Sequence, residues 1–107
     1  MGEKVIVDIV TLDAIQCAAC TYMKESVTAL PESIQKHIVA TEWTIKNKEG
    51  IAKFMEHGVK VLPSIVINGD VVFESIVPTL EELLEALSAR AHQELQAEIQ
   101  KLLEAEA

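Results

Sequence analysis

The sequence predicts an α/β fold with the element order β-α-β-α-β-β-α, and three observations support this prediction. An apolar, β-branched run over Val5–Thr11 is typical of a buried strand. A helical pattern separates it from a second β pattern, so the two strands are expected to be parallel neighbours joined by a right-handed crossover. Farther along, Asn68-Gly69 lies between two short β patterns and indicates an antiparallel hairpin.

The first half of the chain alternates helical and extended patterns. Apolar residues recur at helical spacing over residues 18–30, and Pro31 interrupts that helix. Residues 37–45 alternate as a second strand, because every other side chain is apolar or β-branched. A short helix is predicted over residues 48–57, with Gly58 just beyond its end, where a left-handed residue commonly terminates a helix.

The second half begins with the hairpin and closes with a helix. Its strands are predicted at residues 64–67 and 71–74. A final helix opens near Thr79, since Thr79 and Glu82 have the spacing of a capping box.

Composition limits the classes of function. The chain has 107 residues, of which half are hydrophobic and a quarter charged, as expected for one globular domain. Its net charge of −8 at pH 7 argues against nucleic acid or an anionic membrane as a partner. No apolar run approaches the roughly 20 residues of a spanning helix, and Asp8 interrupts the short N-terminal run that a signal peptide would need. We therefore expect a cytoplasmic protein without membrane contact.

The only two cysteines form a CxxC motif where the first β pattern gives way to a helix. The unpaired N–H groups of a helix N-terminus stabilise a thiolate, and the thiolate is the form that attacks a disulfide. Cys17 and Cys20 therefore predict thiol–disulfide exchange, with Cys17 attacking and Cys20 resolving. In the cytoplasm, a CxxC motif indicates redox or metal chemistry more than a structural disulfide.

Two alternatives for the cysteines are inert buried thiols and a metal site. A closed zinc site needs four ligands, and one CxxC motif supplies two. His37 and His57 lack the H-x₃₋₅-H spacing that would complete it. Zinc or an iron–sulfur cluster would thus require a dimer that shares two motifs, and we predict neither a metal nor another cofactor.

Three segments together resemble the thioredoxin-like superfamily, in particular the small glutaredoxin-like thioredoxins of archaea and anaerobic bacteria. They are the CxxC motif, the sequence VKVLPSIVING at residues 59–69, and PTLEELL at residues 78–84. The resemblance covers about residues 4–90. It implies a mixed four-stranded sheet flanked by helices, to which this chain would add an extended C-terminal helix.

The resemblance also implies roles for single residues. Cys17 would be the exposed nucleophile and Cys20 the buried resolving thiol. Pro63 would follow a cis peptide bond and pack against the disulfide, while the Leu62 backbone binds the substrate strand. The implied activity is reduction of protein disulfides, as a step of electron transport. The implied partners are a disulfide-containing protein and an upstream reductase of the thioredoxin type.

The chain departs from the family in its acidic residues. Thioredoxins carry a buried acid six residues before the first cysteine, a position that Thr11 occupies here. Asp8 and Asp13 are the nearby acids. Asp8 is a candidate proton relay to Cys20, provided that its strand is covered on both faces; otherwise it is a partly solvated residue at a strand end. Nothing after Gly69 matches the Gly-Gly-x-x-Asp signature of glutaredoxins, which disfavours glutathione binding.

The tail suggests a domain over residues 1–90 followed by a helical extension over residues 91–107. Apolar residues continue at helical spacing through this segment, at Leu84, Leu87, Ala91, Leu95, Ile99 and Leu102. We expect the extension to continue the final helix. We also expect it to bury this stripe of apolar residues, most readily against a second chain. The alternatives are that the stripe packs against its own domain or against a different partner, or that the tail remains solvated. An alternative function is that of a non-catalytic redox-sensing or docking module. In such a module the CxxC motif would report the redox state, and the tail would make the contacts with the partner.

Overall fold

A computed structural model of the protein describes residues 4–12 and 18–106. The elements in chain order are β1 Val5–Thr11, α1 Ala18–Thr28, α2 Glu32–Gln35, β2 Ile38–Thr44, α3 Lys48–Glu56, β3 Ser64–Ile67, β4 Asp70–Glu74, α4 Leu80–Ser88 and α5 Gln93–Glu106. The predicted fold class is confirmed, because helices flank a mixed four-stranded sheet. Within these two ranges, no helix combines the length and apolar character needed to span a bilayer. The loop predicted between the first strand and first helix lies mostly outside the described residues.

The sheet has the strand order β2-β1-β3-β4. β1 runs parallel to β2, as predicted, and antiparallel to β3, while β3 and β4 form the predicted hairpin. Asn68 and Gly69 both have positive φ, at 49° and 87°, in keeping with the predicted turn. The Asn68 side chain accepts a hydrogen bond from the Ile6 backbone N–H at 2.9 Å, which fastens the hairpin turn to β1.

Residues of β1 alternate between two packed faces. Val5, Val7 and Ile9 join the main core, which also contains residues of α1, α2, α4 and α5. Val10 belongs to a smaller apolar cluster on the opposite face, where Phe54 of α3 packs. Because successive side chains of a strand point to opposite sides, Asp8 shares the α3 face with Val10.

The first helix is shorter than predicted, and a helical turn that the pattern did not indicate follows it. α1 ends at Thr28, and Pro31 then caps α2 with a φ of −58°. The side chain of Gln35 reaches back and donates to the Val27 carbonyl at 2.8 Å. Pro31 therefore interrupts the first helix, as predicted, and also precedes a second one, whose Ile34 and Gln35 N–H groups both donate to the Pro31 carbonyl.

The fourth helix begins as predicted. The Thr79 hydroxyl accepts from the Glu82 backbone N–H at 3.1 Å, and the Glu82 carboxylate accepts from the Thr79 N–H at 2.9 Å. This reciprocal pair is the predicted capping box, and it satisfies two backbone donors that the helix itself leaves unpaired.

The prediction for the tail is wrong in two respects. The final helix does not continue, because α4 ends at Ser88 and α5 begins at Gln93. The stripe also does not project, because Leu95 and Ile99 are 0% and 1% exposed and belong to the same core as Leu87. The chain turns back between α4 and α5, so that its own core covers the stripe. This burial avoids the loss of translational freedom that binding a second chain would cost. The stripe therefore provides no argument for a dimer.

Candidate redox site

Cys20 is the third residue of α1, and its side chain is fully buried. Met23 and Val27 share its side of the helix, and both are in the main core against β1. This helical spacing turns Cys20 towards the sheet and away from solvent. Cys17, the predicted nucleophile, lies outside the described residues.

The segment before β3 carries the proline that the sequence singled out. The peptide bond between Leu62 and Pro63 is cis, Pro63 is buried and Leu62 is half-buried. The Ser64 hydroxyl donates to the Val61 carbonyl, and the Pro63 carbonyl accepts from the Ser75 N–H at 2.7 Å. The first bond closes the proline segment on itself, and the second ties it to the residue that follows β4.

Apolar side chains are exposed around this proline segment. Val61 is 43% exposed, and Ile76 and Val77, just beyond Ser75, are 70% and 37% exposed. Val61 is two residues before Pro63, and Ile76 and Val77 directly follow Ser75, whose N–H bonds to the Pro63 carbonyl, so all three residues lie close to the proline segment. We call Val61, Ile76 and Val77 the apolar rim. Sequence analysis missed it, because its two halves are far apart in the chain.

Asp8 is buried, at 5% exposure, and both of its carboxylate oxygens have partners. Oδ1 accepts from the indole N–H of Trp43 at 2.9 Å, and Oδ2 lies 2.9 Å from Nε2 of His57. The carboxylate therefore joins β1 to β2 and to the end of α3, on the face of the sheet opposite α1. Sequence analysis assigned no role to Trp43 or His57, and no local signal links them to Asp8.

A second carboxylate lies on the α1 face of the sheet. Glu42 of β2 accepts a hydrogen bond from the fully buried Thr11 hydroxyl at 3.1 Å. Its other oxygen is 3.1 Å from the Lys24 ammonium of α1. Thr11 occupies the position that carries a buried acid in the thioredoxins that the sequence resembles. Here β1 has no carboxylate at that position, but Glu42 of the neighbouring strand β2 places one beside it. Sequence analysis did not identify Glu42.

No metal-binding cluster is found in the part of the chain that the structure describes, where no group of three or more His, Cys, Asp or Glu side chains is arranged to hold an ion. His37 and His92 instead contact each other edge to face, with ring centroids 5.1 Å apart.

Comparisons with known proteins agree with this architecture. A family model described as a thioredoxin domain matches residues 7–88. The chain is 34% identical over 73 residues to a protein of Methanocaldococcus jannaschii named thioredoxin, a match that covers 68% of this chain and 78% of that protein. No solved structure matches the chain significantly.

Proposed function

The chain belongs to the thioredoxin family, and from that premise we propose that it reduces protein disulfides through Cys17 and Cys20. Family membership by itself supports a thiol-oxidoreductase type of function. The observation that carries the finer proposal is the complete burial of Cys20 in the first turn of α1.

The proposed reaction proceeds in two exchanges. The Cys17 thiolate attacks one sulfur of a substrate disulfide, so that a mixed disulfide forms and the other substrate sulfur leaves as a thiolate. Cys20 then attacks the Cys17 sulfur, and the second substrate thiolate leaves. The substrate gains two electrons, and the protein is left with a Cys17–Cys20 disulfide. An upstream reductase of the thioredoxin type would restore the dithiol, in keeping with a reducing cytoplasm.

Burial of Cys20 supports this division of labour. A sulfur with no exposed surface cannot meet a disulfide on the surface of another protein. It can instead attack a sulfur of its own chain, and Cys17 is three residues earlier in the sequence. Cys17 is therefore proposed as the first nucleophile and Cys20 as the resolving thiol.

The proline segment is the proposed binding place for the substrate strand. The Leu62 backbone would hydrogen-bond to an extended substrate segment, with Pro63 beside the cysteines. The exposed apolar rim of Val61, Ile76 and Val77 supports this proposal, because a neighbouring apolar surface can bind the side chains that flank a substrate disulfide.

Reduction of insulin by dithiothreitol, followed by turbidity, tests the proposed function. We expect the wild-type protein to accelerate precipitation and both Cys17→Ser and Cys20→Ser to abolish the acceleration. In a separate incubation with insulin that contains no dithiothreitol, only Cys20→Ser should accumulate a mixed disulfide, visible by non-reducing electrophoresis and mass spectrometry. Ala29→Ser, an exposed position just beyond α1, is the matched control and should retain full activity.

Two results would contradict this function. Precipitation no faster than with dithiothreitol alone would favour a redox-sensing or docking module. Visible absorption together with bound zinc or iron would favour a site shared between two CxxC motifs.

A further inference from the structure

The resolving step needs a proton acceptor close to Cys20. Thiolate, not thiol, is the nucleophile, and apolar burial disfavours thiolate. Cys20 has no exposed surface, so bulk water cannot take up its proton directly. A base on the α1 side of the sheet is therefore required.

Asp8 is on the wrong side of the sheet for this task. α1 covers the face of β1 that carries Val7 and Ile9. The Asp8 carboxylate points to the opposite face, where Trp43 and His57 contact its two oxygens. The backbone of β1 thus separates Asp8 from α1.

Glu42 is on the required side. In the parallel register, its Cα is paired with that of Ile9, so the two side chains point to the same face. Its carboxylate contacts the Thr11 hydroxyl and the Lys24 ammonium, each at 3.1 Å. Lys24 is four residues after Cys20, and therefore one helical turn farther along the same side of α1.

The surroundings of Glu42 hold its carboxylate in place. β1 contributes the hydroxyl of Thr11 and otherwise apolar side chains on this face. α1 contributes the charge of Lys24, whose side chain is 47% exposed, while that of Glu42 is 21% exposed. The carboxylate is thus held between the end of β1 and the first turns of α1.

We propose that Glu42 is the acid–base residue that serves Cys20, with Thr11 and Lys24 as positioning residues. The inference rests on the proposed function and deepens it. As Cys20 attacks the mixed disulfide, its S–H bond breaks and the proton passes to the Glu42 carboxylate. The bond from Cys20 to Cys17 forms, and the bond from Cys17 to the substrate sulfur breaks. The substrate leaves as a thiolate with that electron pair, and the proton returns to Cys20 when the disulfide is reduced.

Stopped-flow reaction of the reduced protein with 5,5′-dithiobis(2-nitrobenzoic acid) separates the two exchanges. The first thionitrobenzoate released reports attack by Cys17, and the second reports resolution by Cys20. Cys20→Ser should show the first phase alone. We expect Glu42→Gln to leave the first phase unchanged and to slow the second about tenfold or more near neutral pH, a modest share of what general base catalysis supplies.

The pH profile distinguishes proton transfer from a structural effect. The difference between Glu42→Gln and wild type should disappear at high pH, where the thiol ionises without a base. Glu42→Asp should recover part of the rate, since it keeps the carboxylate. Glu25→Gln, at an exposed position on α1, is the matched control and should behave as wild type. Thr11→Val, which preserves the side-chain shape, should slow the second phase relative to wild type, and it tests the inference should Glu42→Gln not fold.

Three outcomes would overturn the inference. An unchanged second phase in folded Glu42→Gln would exclude Glu42. A slowed second phase in Asp8→Asn but not in Glu42→Gln would assign the proton to Asp8. Release of only one thionitrobenzoate by the wild-type protein would overturn the proposed function, and the assignment of Glu42 with it.

Discussion

Asp8 shows how a single buried carboxylate is accommodated in this fold. A buried charge is costly unless hydrogen bonds compensate for its lost hydration. Here the Trp43 indole and the His57 ring contact its two oxygens, one at each. Within the described part of the chain, every buried side-chain N or O atom has a hydrogen-bond partner. The group therefore joins three segments that the sequence keeps far apart.

Replacing Asp8 by alanine should lower the free energy of unfolding by about 3 kcal/mol, because it leaves the partly buried indole N–H of Trp43 and ring of His57 without their partner. Urea denaturation followed by circular dichroism measures this loss. Asp70→Ala is the control: Asp70 pairs with Arg90 at the surface, and its side chain is 67% exposed, so its loss should stay within about 0.5 kcal/mol. Equal effects of the two substitutions would contradict a structural role for the buried group.

At the scale of elements, α3 is positioned by its first turn against the end of β2. The Asn47 side chain caps the helix by accepting from the Gly50 N–H at 2.8 Å. Gly50 is buried, and a Cβ built on it would lie 1.7 Å from the Thr44 carbonyl oxygen. The backbone of β2 thus occupies the space that any larger side chain would need.

Gly50→Ala should therefore destabilise the protein by about 3 kcal/mol, since neither backbone can yield without moving α3. Gly58→Ala separates this steric effect from backbone strain: Gly58 has a φ of +66° and open space around its Cβ position, so about 1 kcal/mol is expected. Thermal unfolding of both variants provides the comparison. A loss for Gly50→Ala no larger than that for Gly58→Ala would contradict the close packing.

The link between α4 and α5 shows how tertiary contacts override a continuous helical pattern. Neither glycine nor proline interrupts residues 88–93, so no local signal marks the break. The reversal has its own hydrogen bonds: the Leu95 N–H donates to the His92 ring at 3.4 Å, and the Gln96 amide donates to the Ser88 carbonyl at 3.0 Å. Burial of the apolar stripe of α5 in the core stabilises this reversal. A helix that continued straight from α4 would leave the stripe in water.

At the scale of the whole molecule, one core joins the sheet to the helices at both ends of the chain. Met23 of α1, Ile34 of α2 and Leu95 of α5 belong to the same cluster as β1. The family model ends at residue 88, yet α5 completes the hydrophobic core. The last helix is therefore expected to be needed for stability, although the sequence suggested a helical extension separate from the domain.

Leu95→Ala should lower the free energy of unfolding by 2–5 kcal/mol, roughly the range for removing a fully buried leucine side chain. Met55→Ala, at a side chain that is 72% exposed, is the matched control and should change it by less than about 0.5 kcal/mol. Chemical denaturation measures both variants. A Leu95→Ala protein as stable as wild type would mean that α5 is not part of the folded core.

The sequence by itself determined the features that neighbouring residues encode. The β-branched run of β1, the Asn68-Gly69 turn and the Thr79 capping box each depend on residues within a few positions of one another. The change from a β pattern to a helical pattern around the CxxC motif likewise follows from the local sequence. These signals predicted the order of the strands and of the longer helices up to α4, but they indicated neither α2 nor the break between α4 and α5.

Only the tertiary structure decided which distant side chains meet. Asp8 bonds to residues 35 and 49 positions away, and Thr11 bonds to Glu42 on a neighbouring strand. These pairs depend on strand register and on the face to which each side chain points, and both become defined only when the sheet assembles. The apolar stripe of α5 could be recognised in the sequence, but its partner could not. Its burial in this chain's own core follows from a reversal that no local residue preference specifies, because the free energy that favours it comes from contacts between distant elements.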